Sequence, residues 1–141
     1  MTKILDFCEK VIYNFGGDKM KRSNEANGSI SENLKKGITE MLILSFLDKR
    51  DMHIYAITSQ LDELSNGVCK ISYPYAAIYR LVNSGYIAEA GKKVDDNRLR
   101  QFYSITPGGR EYLSVMRKEY ELFISGVNLI YKNLEEGESD G

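Results

Sequence analysis

Residues Ser72, Tyr73, Tyr75, Ala76, Tyr79 and Arg80 crowd into one short stretch and supply donors for phosphates and base edges. Serine and tyrosine hydroxyls donate to phosphate oxygens, and a guanidinium reaches either a phosphate or the O6/N7 edge of guanine. Alanine lets a backbone approach a groove closely, and its methyl can meet that of thymine. Further on, Lys92, Lys93, Arg98 and Arg100 gather around 91–97 against Asp95 and Asp96. Cations on such a protrusion suit flanking phosphates or a minor groove. The tyrosine-rich stretch would equally suit a protein interface.

Other reactive residue types are sparse. His53 is the only histidine, and Cys8 and Cys69 share no metal-ligand spacing with it or with each other. There is no P-loop and no nucleophile elbow. These absences argue against an enzyme, a metal site or a bound cofactor. His53 reads as a capping or packing residue at a helix start, and a thiol switch at Cys69 is chemically open.

The elements that must position these residues follow from periodicity. Ile38, Met41, Leu42, Ser45 and Phe46 define a helix ending at the charged turn 48–51, with Lys35 and Lys36 just before it. Ile54, Ile57, Leu61 and Leu64 define a second, ended by Ser65-Asn66-Gly67. Ser72 can cap a third, with Pro74 in its first turn and Gly85 at its end. On a wheel of about 100° per residue, Pro74, Ile78, Leu81 and Val82 form its core face. Tyr73, Ala76, Ala77 and Arg80 lie opposite, flanked by Tyr75, Tyr79 and Asn83. Residues 86–90 and 98–106 are β-capable and bracket a long charged tip. This order is that of a winged helix-turn-helix over 33–106.

The flanks read differently. Ile4, Cys8, Val11 and Phe15 mark an amphipathic helix in 1–15, and the polar, Gly/Ser/Asn-rich 16–32 reads as a flexible linker. In 107–136, Leu113, Met116, Tyr120, Phe123, Val127, Ile130 and Leu134 alternate steps of three and four, an a/d seam. Pro107 starts that helix and Gly137 can end it. So long a seam exceeds what one small domain can cover, so pairing with a second copy is expected. The fold class is mainly α with a small β-hairpin: a winged domain plus a long C-terminal dimerisation helix.

Formal net charge is −1, which alone argues against a nucleic-acid partner. Its distribution is uneven. Residues 34–106 carry ten basic and eight acidic side chains, whereas 107–141 carry four and seven. No run reaches the roughly 18 apolar residues of a membrane span, and acidic Asp6 and Glu9 interrupt any leader pattern. A cytoplasmic protein is expected.

The stretch 34–110 resembles PadR-type transcriptional regulators. The residues that carry the resemblance are Lys36-Gly-Ile-Thr-Glu-Met-Leu-Ile-Leu44, His53-Ile-Tyr-Ala-Ile57, Tyr75 with Arg80-Leu81, and Gly85-Tyr86-Ile87. Arg100-Gln-Phe-Tyr-Ser-Ile-Thr106 with Gly109-Arg110 completes the set. Ile54 stands where the family tends to have glycine. The resemblance implies a homodimeric regulator of double-stranded DNA, a repressor on a pseudo-palindromic operator, pairing through the helix after the wing. It also implies release by a small aromatic or lipophilic effector near the dimer interface, with Tyr112, Tyr120 and Phe123 as candidates. The alternative is a winged helix that controls a partner regulator through protein contacts.

Overall fold

The computed structural model describes residues 29–139. The amphipathic segment 1–15 and most of the 16–32 linker lie outside them. Four helices and a small sheet follow in the order α1 (Ile30–Leu47), β1 (Met52–His53), α2 (Ile54–Leu64), α3 (Tyr75–Asn83), β2 (Ile87–Asp95), β3 (Arg98–Ile105) and α4 (Pro107–Ser139).

Helix α1 begins inside the expected linker, because Ser29 caps it by accepting the Glu32 N–H at 3.2 Å. Its buried residues are Thr39, Met41, Ile43, Leu44 and Leu47, while Ile38, Leu42 and Phe46 are only partly covered. The residues that define the helix in the sequence are thus a mixture of buried and partly covered ones, and the helix ends at Asp48 as expected. Helix α1 packs against α2, α3, α4 and β3 together, so its apolar surface wraps most of the way round. In α2, Ile57 and Leu61 enter the core, whereas Leu64 at the last turn is exposed. Asn66 and Gly67 take positive φ beyond it, and the Gly67 N–H closes on the Asp62 carbonyl at 2.8 Å.

Helix α3 starts later than its sequence suggests. Pro74 flanks it with no side-chain cap, and Ser72 and Tyr73 lie in the loop before it. Its buried arc is Ala77, Ile78 and Leu81. Ala77 thus faces the core, contrary to the wheel reading, because the arc is centred to one side of Ile78. Gly85, at φ +77, ends the helix. Its N–H bonds the Val82 carbonyl and that of Tyr86 bonds the Leu81 carbonyl, the paired closure that a left-handed residue permits.

The sheet has the order β1-β3-β2 and is antiparallel throughout. Strand β1 was not foreseen, since two residues are too few to show an alternating pattern. The hairpin also differs from expectation. Its strands run to a two-residue turn at Asp96-Asn97, both at positive φ, the combination whose twist matches a hairpin. The long charged tip is therefore mostly strand, with a bulge between Glu89 and Lys92.

Helix α4 is clamped to the end of α3. Thr106 donates to the Gly85 carbonyl at 2.6 Å and accepts the Gly109 N–H at 3.0 Å. A Cβ on Gly109 would fall 2.0 Å from the Tyr86 carbonyl oxygen. The helix then runs through Gly137, where nothing crowds the chain, to Ser139. Its seam leaves the domain within two turns. Leu113 is buried and Met116 half-buried, but Tyr120, Phe123, Ile130 and Leu134 are exposed.

Candidate nucleic-acid interface

The start of α3 and the wing meet at one cleft, lined by Tyr75 on one side and Leu99 and Arg100 on the other. Tyr75 and Tyr79 project from α3, 63% and 68% exposed, and Tyr73 from the loop before it is 85% exposed. Ala76 and Ser72 are exposed between them. Large, solvated tyrosines on a nine-residue helix are not explained by packing, since that helix already buries its opposite arc.

Arg80 is placed differently from its companions. Its Nε donates to Glu40 Oε1 of α1 at 2.7 Å, while its side chain stays 59% exposed. The guanidinium therefore ties α3 to α1, while Tyr73, Tyr75 and Tyr79 are solvated and Tyr75 shares a cleft with Leu99 and Arg100 of the wing. Glu40 also acts on α4. Burial first, and then the negative charge of Glu40, push the Tyr112 hydroxyl above its ordinary pKa. The Tyr112 ring stacks on Tyr86 with centroids 4.2 Å apart. Of the three expected effector residues, Tyr112 is thus engaged at the α3–α4 joint, while Tyr120 and Phe123 stand in solvent.

The wing cations fall into two groups. Lys92 and Arg98 are exposed along the strands. Lys93 lies over the Phe102 ring and Arg100 over the Tyr55 ring, 5.2 and 5.0 Å from the centroids. Each is attracted to the negative face of its ring. Arg100 is half-buried, and its Nε has no hydrogen-bond partner.

His53 joins the wing to α2. It is buried, and its Nδ1 accepts the Ala56 N–H at 3.2 Å as the N-cap of α2. Nε2 therefore carries the proton and donates to Asp95 Oδ2 at 2.7 Å. The capping role expected of His53 holds, and no sequence signal pointed to its Asp95 partner 42 residues away.

A cavity of about 360 Å³ opens between the start of α2, the loop before α3 and strand β3. It is lined by Tyr55, Ser72, Tyr75, Leu99 and Arg100, among others. Tyr55, 60% exposed in the first turn of α2 and lying under Arg100, is not among the residues the sequence singles out for this face. Its position in the His53–Ile57 motif was the available signal. Among the described residues no group of histidine, cysteine or acidic side chains could hold a metal ion. None of their helices is long and apolar enough to cross a membrane.

A family model described as the transcriptional regulator PadR-like family matches residues 43–115, just over half the chain. The chain belongs to the PadR-like family. A solved transcriptional regulator from Clostridium thermocellum is 28% identical with a TM-score of 0.62, the match covering 68% of this PadR-like chain and 95% of that one. A PadR family transcription regulator from Clostridium difficile shares the fold at 22% identity and a TM-score of 0.56, over 66% of this chain and 97% of that one. An uncharacterised protein of Lysinibacillus sphaericus is 26% identical over 108 residues, 75% of this chain and 99% of its own. The PadR-like assignment makes the protein a transcription regulator of the winged-helix DNA-binding type. The family model takes in α2, α3, the wing and the start of α4, the elements that carry the tyrosine and cation face.

Proposed function

We propose that the protein is a homodimeric repressor that reads a pseudo-palindromic operator with α3 and grips its backbone with the wing. The observation that carries this reading is the set of solvated tyrosines on α3 beside a wing with exposed cations, the two meeting at the cleft lined by Tyr75 and Arg100. Ala76, Tyr75 and Tyr79 enter the major groove, where a helix fits and base edges are legible. Ser72, Tyr73, Lys92, Lys93, Arg98 and Arg100 contact phosphates. Arg80, held by Glu40, reaches a phosphate with its free guanidinium edge rather than a base. Lys36 stays solvated, whereas Lys35 is paired with Glu32 at 2.9 Å and largely covered.

The domain division belongs to the same reading, with 33–106 binding DNA and 107–136 pairing. The seam from Leu113 to Leu134 closes the dimer, which sets two copies of α3 about one helical turn of DNA apart. Release by a small aromatic or lipophilic effector completes it. Tyr120 and Phe123 are the exposed aromatics such a compound would meet.

The test is a titration of sheared genomic DNA across roughly 50 to 200 mM salt, followed by sequencing of the bound fraction. Affinity falling steeply with salt, and recovery of fragments sharing an inverted repeat, are expected. Absence of salt-sensitive binding at low salt would instead favour a winged helix that binds a protein partner.

A further inference from the structure

We infer that Glu40 is a positioning residue for DNA binding, a carboxylate shared between Arg80 of α3 and Tyr112 of α4 that ties the grip of the first to the seating of the second. This rests on the DNA-binding reading and adds a restraint on it.

Arg80 is the only charged side chain of α3. It does not stand free, because its Nε donates to Glu40 Oε1 at 2.7 Å. The two terminal nitrogens remain for an incoming anion. Glu40 is the covered member of the pair, its side chain only 22% exposed. Its place on α1 is fixed from both sides, since Thr39 and Met41 are buried. The carboxylate therefore keeps its position, and the guanidinium comes to it.

A carboxylate in that place opposes DNA. A phosphate that reaches the terminal nitrogens of Arg80 comes close to Glu40, and like charges at such a separation repel. Either the phosphate shares Arg80 with a fixed negative charge, or Arg80 lets go of Glu40. Both routes lower affinity. The Arg80 end of the pair lies in solvent, which keeps the penalty to about fivefold or less per protomer.

The same carboxylate reaches the pairing helix. The Tyr112 hydroxyl hydrogen-bonds to Glu40, and its ring stacks on Tyr86 with centroids 4.2 Å apart. Tyr86 closes α3 in turn, its N–H bonding the Leu81 carbonyl. Tyr112 directly precedes Leu113, the buried first residue of the seam. A phenol that donates to Glu40 draws on its negative charge, so the carboxylate holds Arg80 less firmly. The seating of α4 against the domain thus sets how strongly Glu40 restrains the one cation of α3.

The experiment measures binding of the full chain to mixed-sequence and selected duplexes over a salt series. Glu40→Gln keeps the shape and one acceptor oxygen while removing the charge. It should raise affinity about threefold to fivefold per protomer on both duplexes and steepen the salt slope by about one unit per protomer. Tyr112→Phe keeps the ring on Tyr86 and should lower affinity about twofold, because Glu40 then bonds Arg80 alone. In the Glu40→Gln background the same change should have no effect, so the double-mutant cycle shows coupling. Thermal melting checks folding. Glu40→Asp, which withdraws the carboxylate by one methylene, should fall between wild type and Glu40→Gln. Lower affinity in a folded Glu40→Gln protein would make the pair a brace for α3 and overturn the restraint. Unchanged affinity and slope would reduce it to an ion pair without a part in binding, which overturns it too. A Tyr112→Phe effect of equal size in both backgrounds would detach α4 from Glu40 and overturn the coupling. A wild-type protein with no salt-sensitive duplex binding would remove the functional reading itself, a separate outcome from all of these.

Discussion

His53 Nε2 donates to Asp95 Oδ2 at 2.7 Å, a bond from the N-cap of α2 to the outer end of the wing. One imidazole thereby serves two elements, since its other nitrogen accepts the Ala56 N–H. The wing is held at both ends: at its base by pairing of β1 with β3, and near its tip by this bond. Phe102 meets the same imidazole edge-on at 5.1 Å. The cationic strands are thus fixed relative to α2 before any ligand arrives, which reduces the ordering that binding would require.

Substitutions at this pair should separate capping from pinning. His53→Ala removes both and should cost about 2 kcal/mol or more, from the lost cap and the buried ring. Asp95→Ala leaves a buried imidazole N–H unpaired and should cost about 1 kcal/mol, with faster amide exchange across 93–100. Asp95→Asn keeps an acceptor and should stay within about 0.5 kcal/mol of wild type. Urea unfolding and hydrogen exchange measure these; equal behaviour of the alanine and asparagine variants would show that the bond does not hold the wing.

Gly109 is the tightest point of the α3–α4 joint. Its Cβ would sit 2.0 Å from the Tyr86 carbonyl oxygen and 2.8 Å from Ile105 Cγ1. Neither the backbone oxygen nor a core side chain can move freely, so Gly109→Ala should cost about 3 kcal/mol or more. Gly126→Ala, in the same helix with open space around it, should stabilise by about 0.5–1 kcal/mol through helix propensity alone. Chemical denaturation of the two variants compares them directly. A Gly109→Ala protein as stable as wild type would mean that the clamp yields easily.

The order of helices and hairpin was legible because each element carries its own period and stop signal, such as Gly85 after α3 and Pro107 before α4. The seam was legible for the same reason. What the sequence hid depends on distant partners. Glu40 and Arg80 are 40 positions apart, as the bond between them shows, and no local pattern marks them as a pair. Ala77 looked like surface because a wheel assumes where the core lies, and only the packing of α3 against α1 and β2 sets that centre. The Asp96-Asn97 turn was present in the composition, but the charges around it read as loop.

Alkaline pH should loosen the same joint. The Tyr112 hydroxyl is raised above 10.0 by burial and by Glu40, and that of Tyr103 by burial and by Glu89. A phenol with a higher pKa folded than unfolded holds its proton longer in the native state. Its contribution is full below the unfolded value and is lost as pH rises through the folded one. Stability should therefore be insensitive to these groups near neutrality and decline above about pH 10. Tyr112→Phe should flatten that decline. Urea midpoints across this range provide the check, and an unchanged slope in the variant would exclude Tyr112 as a source.

The seam makes a prediction that depends on direction around α4. Phe123 lies on the row of Leu113, Met116 and Tyr120, whereas Leu122 is about 100° away round the helix. Both are well exposed, at 66% and 74%, so neither substitution disturbs the core of one chain. If the seam pairs two copies, Phe123→Glu sets like charges against each other at its centre and should give a monomer by sedimentation. Leu122→Glu, of equal chemistry and greater exposure, should remain dimeric. Affinity for a two-half-site duplex should then fall at least about a hundredfold for Phe123→Glu, because the second contact is no longer tethered. It should be nearly unchanged for Leu122→Glu. A Phe123→Glu protein that stays dimeric would move the interface off this row and leave the exposed seam to another partner.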